Sequence, residues 1–282
     1  MKKWILLTAA LFAASANPAR AADPAVGAKA PDFSLMDTKG TKHSLSDFKG
    51  KTLVPAIGGQ FVLGVTRETL DDDAALRLVL APQENTLLGE SLRLTTLSKL
   101  TRALSHPHYT FRKKLSHTAD SQDQRHRMVP ASRPLMTFAD TAAPDVVTPR
   151  LIRLNARAAD VYRRAIAEAW VAKNRLLELG VPLEYALYVL PNAKALRMVE
   201  SGSFLALQHK WTLRTCFNAQ EEIYLASMDE IAQVREVHPR LGRFLGPPCV
   251  LRDKVASPRC TEGTHFCGVP VWNSFPDAVR RL

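Results

Sequence analysis

Three side chains that can carry positive charge follow one another at Arg125-His126-Arg127, and Gln122 stands three residues ahead of the first. Adjacent cations repel, so an anion should offset them, and a guanidinium offers a planar fork to phosphate or carboxylate. Standing alone, the triplet reads first as a solvated basic loop. A second reactive group lies near the end of the chain. Cys249, Cys260 and Cys267 are spaced C-x10-C-x6-C, with His265 between the last two and Cys216 farther upstream. Thiols with a histidine suit a tetrahedral zinc site, and the same ligands suit an iron–sulfur cluster. In an exported chain a disulfide competes, Cys260–Cys267 being the simplest pair. The expectation is a structural metal on Cys216, Cys249, Cys260 and Cys267.

The elements that must position these groups are partly legible. Thr69 followed by Asp71, Asp72 and Asp73 predicts a helix start, with an oxygen cap and acids in the first turn. Tyr109 to Phe111 reads as a short strand and residues 116–134 as a polar loop. From Asn155 to Leu179 apolar residues recur at helical spacing (Tyr162, Ile166, Trp170, Leu177), and Gly180 follows as a stop. A short helix is expected between Pro182 and Pro191, and a long helical region from Phe204 to Val237. No internal repeat or low-complexity linker is present. The fold class is α+β, helix-rich with a small antiparallel sheet.

The 282 residues carry 46% hydrophobic and 23% charged side chains, which excludes a disordered or collagen-like chain. A net charge of +11 favours phosphate-bearing partners without naming one. No nucleic-acid-binding motif or aromatic stacking ladder accompanies the charge, so no nucleic-acid partner is expected. Residues 1–21 have a Lys2-Lys3 start, an apolar run and an Ala19-Arg20-Ala21 site, the three parts of a secretory signal. That run is too short to span a membrane. Residues 22–57 resemble the opening of thioredoxin-like oxidoreductases and peroxiredoxins, through Ala30-Pro31-Asp32-Phe33, a turn at Asp37 to Gly40, and Ser44-Leu45-Ser46-Asp47-Phe48-Lys49-Gly50-Lys51. The first cysteine of the chain is Cys216, so this segment has no Cys-x-x-Cys and no thiol chemistry.

Residues 58–247 resemble the flavin-dependent thymidylate synthases. The blocks that carry the likeness are Gln122 with Arg125-His126-Arg127, then Glu184-Tyr185-Ala186, Leu190-Pro191, Leu213-Arg214 and Ala219-Gln220-Glu221-Glu222-Ile223. The interval of twenty-three residues from Pro191 to Arg214 fits without a gap. The resemblance implies reductive methylation of dUMP to dTMP, with methylenetetrahydrofolate giving the carbon and FAD, reduced by NADPH, giving the hydride. It implies Arg214 as the catalytic residue that stabilises charge on the uracil ring, and dUMP contacts from Gln122, Arg125, Ser132, Arg133 and Arg214. FAD contacts would come from Arg125, His126, Arg127, Ser203 and His209, and the assembly would be a homotetramer.

The chain departs from that pattern in three places. Leu187 stands where the family has an Arg that meets dUMP, and Ser203 where it has an Asn. The loop after Arg127 is shortened, with Pro130 in place of a Glu. These departures keep open a catalytically degenerate flavin- or nucleotide-binding relative, and the leader keeps open an exported thioredoxin-like protein. The leader points to the periplasm and the body, with its nucleotide substrates, to the cytoplasm, which is expected for the functional domain. A join near Thr52 to Gly59 would reconcile the two, leaving residues 248–282 as a cysteine-containing tail.

Overall fold

The computed structural model describes residues 34–36, 42–44, 54–81, 98–252 and 257–280. The chain divides into two units, Met1–Pro31, which lies outside the described residues, and Asp32–Leu282. The expected signal at 1–21 and most of the thioredoxin-like segment therefore lie outside the described residues too. Within the latter, β1 (Ser34–Met36) and β2 (Lys42–Ser44) pair antiparallel, with Ser34 opposite Ser44.

Helices α1 (Val54–Leu63) and α2 (Asp72–Leu80) come next. A Cβ on Gly59 would lie 2.9 Å from Val79 Cγ2, so the two helices can approach this closely only at a residue without a side chain. The cap of α2 is Asp71, which accepts from the Ala74 N–H at 2.8 Å, and not the expected Thr69. Thr69 lies one turn outside, its N–H bonded to the Thr66 carbonyl.

Strand β3 (His108–Ser116) is longer than the three residues expected, and the predicted polar loop after it contains α3 (His117–Asp123), capped by the Ser116 hydroxyl. After β4 (Ala131–Ser132) come α4 (Arg150–Arg153), α5 (Ala156–Glu178) and α6 (Leu183–Ala186). Strand β5 (Ala195–Ser203), which the sequence did not signal, then leads directly into α7 (Phe204–Arg214). The helical region expected from Phe204 to Val237 is two helices, since α8 begins afresh at Glu221 and ends at Val237. The short helices α9 (Pro239–Gly242) and α10 (Pro248–Leu251) complete the described α-helices. The fold is α+β, as the periodicity implied.

The sheet has the order β3-β5-β4, all antiparallel, with Phe111 opposite Glu200 and Ser132 opposite Val199. One side of it packs on an aromatic nest of Tyr109, Phe111, Phe204 and Trp211, whose ring centroids lie 6.1 to 6.4 Å apart. Leu76, Val79, Leu100, Leu104, Ile231 and Val234 close that core around them. Leu115, Leu196, Met198 and Ile223 form a second cluster. The core thus fixes α7 against the sheet, and α7 carries Arg214 at its C-terminal end. In α5, by contrast, only Ile166, Trp170 and Lys173 are buried, leaving Val161 and Val171 exposed, as is Leu179 at its C-cap. None of the described helices is long and apolar enough to cross a membrane.

Candidate functional site

The end of α3 delivers the basic triplet. Its last turn closes with main-chain bonds from the Arg125 N–H to the Gln122 carbonyl at 3.2 Å and from the His126 N–H to the Asp123 carbonyl at 3.1 Å. This turn points His126 inward while Arg125 and Arg127 face solvent. Neither arginine side chain is hydrogen-bonded or ion-paired among the described residues. Across from them, the last residue of α7 meets the triplet. The Arg214 Nε–H donates to His126 Nε2 at 2.7 Å, and its Nη2 donates to the Gln122 carbonyl at 3.4 Å.

That contact defines the state of the imidazole. Arginine has donors only, so His126 Nε2 must be the bare nitrogen of a neutral ring. Burial pushes the His126 pKa down, Arg214 adds to the effect, and the value falls to about 4. His126 is therefore a neutral acceptor at physiological pH. His209, one turn before Arg214 on α7 and exposed, stands edge-on to it with ring centroids 6.2 Å apart. Burial also lowers the Arg214 pKa; Asp123 opposes the shift and Arg125 adds to it.

Beneath the site lies a group of charges that sequence reasoning missed. Lys113, Asp123, Glu200, Lys210 and Glu230 are joined in one buried network. Lys210 Nζ reaches Glu200 at 2.5 Å and Glu230 at 3.1 Å, and Lys113 Nζ reaches Asp123 at 2.5 Å as well as Glu200. The Trp211 indole N–H adds a bond to Glu230 at 2.6 Å. Burial opposes charge on Lys113, but Glu230, Asp123 and Glu200 outweigh it and raise its pKa. Burial likewise opposes ionisation of Asp123, and Lys210 with Lys113 overcomes it. For Glu200 burial wins over the two lysines, with Glu230 and Asp123 adding, and the pKa rises. One signal could have revealed the network: Glu200 falls in phase with Met198 and Gly202, and Lys113 in phase with Phe111 and Leu115, on strand faces that are otherwise buried.

Gln122, Arg125, His126, Arg127, His209 and Arg214 are thus brought to one place. The remaining candidates are engaged elsewhere. Arg133 Nε is bonded to Asp120 on α3 at 2.7 Å, and Ser132 is exposed in β4. The Ser203 hydroxyl caps α7, accepting from the Ala206 N–H at 3.3 Å.

Residues 72–240 match the family of the thymidylate synthase complementing protein. The chain belongs to that family. Among the relatives it resembles are the flavin-dependent thymidylate synthases of Sulfurisphaera tokodaii, 33% identical over 53% of this chain and 59% of that protein, and of Saccharolobus solfataricus, 32% identical over 53% and 58%. The synthase of Geobacter sulfurreducens is 31% identical over 58% of this chain and 70% of that protein. The chain therefore spans somewhat under three fifths of the length of the first two. The matched span runs from α2 through α8 and contains the triplet, α7 and the buried network, but it stops short of the cysteine tail.

Among the described residues no three His, Cys, Asp or Glu side chains are grouped to hold a metal ion. Cys216, Cys249, Cys260 and Cys267 are all free thiols. Two of the thiols serve as packing groups. Cys249 and Cys267 lie against a small cluster of Phe217, Tyr224 and Val271. Burial raises the thiol pKa of Cys249 to about 11, with the thiols of Cys216, Cys260 and Cys267 adding, and burial raises that of Cys216 as well. Protonated sulfur in an apolar setting is a poor ligand and a good small hydrophobe.

Proposed function

We propose that the protein is a flavin-dependent thymidylate synthase, converting dUMP to dTMP with methylenetetrahydrofolate and NADPH. The observation that carries the reading is the 2.7 Å bond between Arg214 and His126, which joins the two motifs of the resemblance in one site. The donor set suits FAD: Arg125 and Arg127 face solvent and have no partner among the described residues, as phosphate-binding cations should. When bound, the flavin supplies the hydride for the methyl group. Arg125 serves both nucleotides, Arg127 and His209 the flavin, and Gln122 the uracil side. Arg214, oriented by neutral His126, offers the rest of its fork to uracil oxygen and stabilises the negative charge that develops on the ring.

No protein nucleophile is required, and none of the cysteines lies in the site. Ser132, Arg133 and Ser203 complete the proposed contacts once Arg133 leaves Asp120. The family resemblance supports a homotetramer, in which the exposed Val161 and Val171 of α5 would find cover. The proposed nucleotide and folate substrates support a cytoplasmic address for this domain.

A second reading is favoured by Arg133 being tied to Asp120 and by Leu187 standing where the family has Arg: a relative that binds flavin without turnover. Visible absorption of the purified full-length protein, with added FAD and dUMP, tests both. Flavin bands that shift with dUMP, followed by dUMP-dependent NADPH oxidation, are the expected result. Flavin binding without that oxidation selects the second reading, and indifference to FAD overturns both.

A further inference from the structure

The buried network holds one carboxylate more than its cations require. Lys113 already has Asp123 at 2.5 Å and Lys210 already has Glu200 at 2.5 Å, so two acids answer two ammonium groups. Glu230 is the third acid and is buried, which is costly for a carboxylate unless its hydrogen bonds are complete. Both of its oxygens are filled. Oε1 accepts from Lys210 Nζ at 3.1 Å and Lys113 Nζ at 3.3 Å, and Oε2 accepts from Lys210 Nζ at 3.1 Å and the Trp211 indole N–H at 2.6 Å. Among the acids of the network, Glu230 is the one that takes the indole N–H. Lys210 and Trp211 are neighbours on α7, about 100° apart around its axis. A carboxylate bonded to both resists rotation of the helix as well as sliding along it. Arg214 follows Lys210 by four residues and Trp211 by three, the two spacings that place side chains on one face a turn apart. The helix closes just beyond it, where the Thr215 N–H and hydroxyl both donate to the Trp211 carbonyl, at 2.9 and 2.7 Å. Trp211 thus ties the Glu230 contact to the end of α7 that presents Arg214.

We propose that Glu230 is a positioning residue of the site, whose carboxylate sets the rotation and depth of α7 through Lys210 and Trp211 so that the Arg214 Nε–H meets His126 Nε2. The inference rests on the reading of Arg214 given above and adds a residue outside the blocks that carry the family likeness. The same helix holds the other half of that pair. Glu222 stands eight residues before Glu230 on α8, about 12 Å back along one stripe of the helix. It accepts from Ser116, the cap of α3, and α3 ends in the turn that delivers His126. One rigid element therefore grips α3 through Glu222 and α7 through Glu230. The bond between Arg214 and His126 joins residues 88 apart in sequence, and α8 is what keeps their two helices in register.

The experiment compares the native full-length protein with Glu230→Leu and Glu230→Gln. Two readouts are used: the separation of Arg214 and His126 in crystal structures, which needs no substrate, and kcat and KM with dUMP. Leu has similar bulk and leaves two acids against two lysines, so the Glu230→Leu variant is expected to fold. Its Arg214 should move out of hydrogen-bond reach of His126, with kcat down on the order of a hundredfold, as a small misplacement of a catalytic group can cause. KM for dUMP should stay within a few-fold, because Gln122 and Arg125 are carried by α3, which Glu222 holds. Glu230→Gln keeps an oxygen for the indole N–H and should recover both the bond and most of the rate. A Glu230 that only stabilises the fold would lower Tm in Glu230→Leu and leave the Arg214–His126 bond intact in the folded molecules; that result overturns the proposal. Should Glu230→Leu fail to fold, Trp211→Phe drops the same N–H while keeping the acid, and an unmoved Arg214 in that variant overturns the proposal equally. If the native protein neither binds nor converts dUMP, the functional reading fails separately, and the crystal structures still decide the role of Glu230.

Discussion

Glu222, in the first turn of α8, accepts two hydrogen bonds from Ser116, one from its main-chain N–H at 2.5 Å and one from its hydroxyl at 2.7 Å. Ser116 is the cap of α3, so the acid of the Ala219-to-Ile223 block holds the helix that delivers the basic triplet. The two family motifs are therefore mechanically linked through a contact 106 residues apart in sequence. Glu222→Ala should remove two charge-assisted bonds at about 2–3 kcal/mol together, lowering Tm by roughly 5–10 °C. Glu222→Gln, which keeps one good acceptor, should cost about half as much. A thermal melt of the two variants that leaves Tm unmoved would show the contact to be incidental.

Local signals were legible where the deciding atoms are close in sequence. Asn155 does cap α5, accepting from the Ala158 N–H at 3.0 Å, and Gly180 does stop it, with φ of +82°. The break between α7 and α8 was hidden because no Pro or Gly marks it. It is made by the Thr215 hydroxyl turning back to the Trp211 carbonyl at 2.7 Å and by the Gln220 side chain capping Ile223 at 2.9 Å. Strand β5 was hidden because Glu200 interrupts its apolar alternation, and only three-dimensional pairing with Lys113 and Lys210 makes an acid tolerable there. In the site, the motif residues could be named in advance. Their supporting charges were harder to assemble, since each member of the network comes from a different element and only the phase of Glu200 and Lys113 on their strands hints at it.

His126 makes stability depend on pH in a definite direction. Its pKa is about 4 in the folded protein against 6.5 ordinarily, so between those values the unfolded chain binds more protons. Stability is then full above about pH 6.5, falls as pH drops toward 4, and the loss is on the order of 3 kcal/mol. Burial lowers the His238 pKa also, which adds in the same direction. His126→Gln retains an acceptor for Arg214 without a titrating proton and should flatten the curve in this window. Urea titrations from pH 4 to 7 check it; parallel curves for the two proteins would sink the assignment of a neutral His126.

The packed thiols give a kinetic prediction. With its pKa raised from 9.0 to about 11, Cys249 carries roughly a hundredfold less thiolate at neutral pH than an unperturbed cysteine. Its alkylation by iodoacetamide, followed by mass spectrometry of the native protein, should be correspondingly slow and should go on accelerating past pH 9. Prompt modification at pH 7 would mean that the sulfur is not buried against Phe217 and Tyr224.

Arg214 is the residue on which the proposed chemistry turns, and it can be changed without dismantling the core. Its neighbours Trp211 and Lys210 are buried and hold α7, whereas Arg214 itself is only partly covered at the helix end. Arg214→Ala should therefore keep Tm within a few degrees while lowering kcat by about two to three orders of magnitude, the usual cost of removing a preorganised donor from a developing anion. Arg214→Lys should not restore the rate. An ammonium has no Nε–H one bond short of its tip, so it cannot hold His126 Nε2 and face a substrate oxygen at once. The Arg214→Lys variant separates charge from geometry: recovery to near-native kcat would mean that a positive charge alone suffices there, and the 2.7 Å bond to His126 would lose its part in the mechanism.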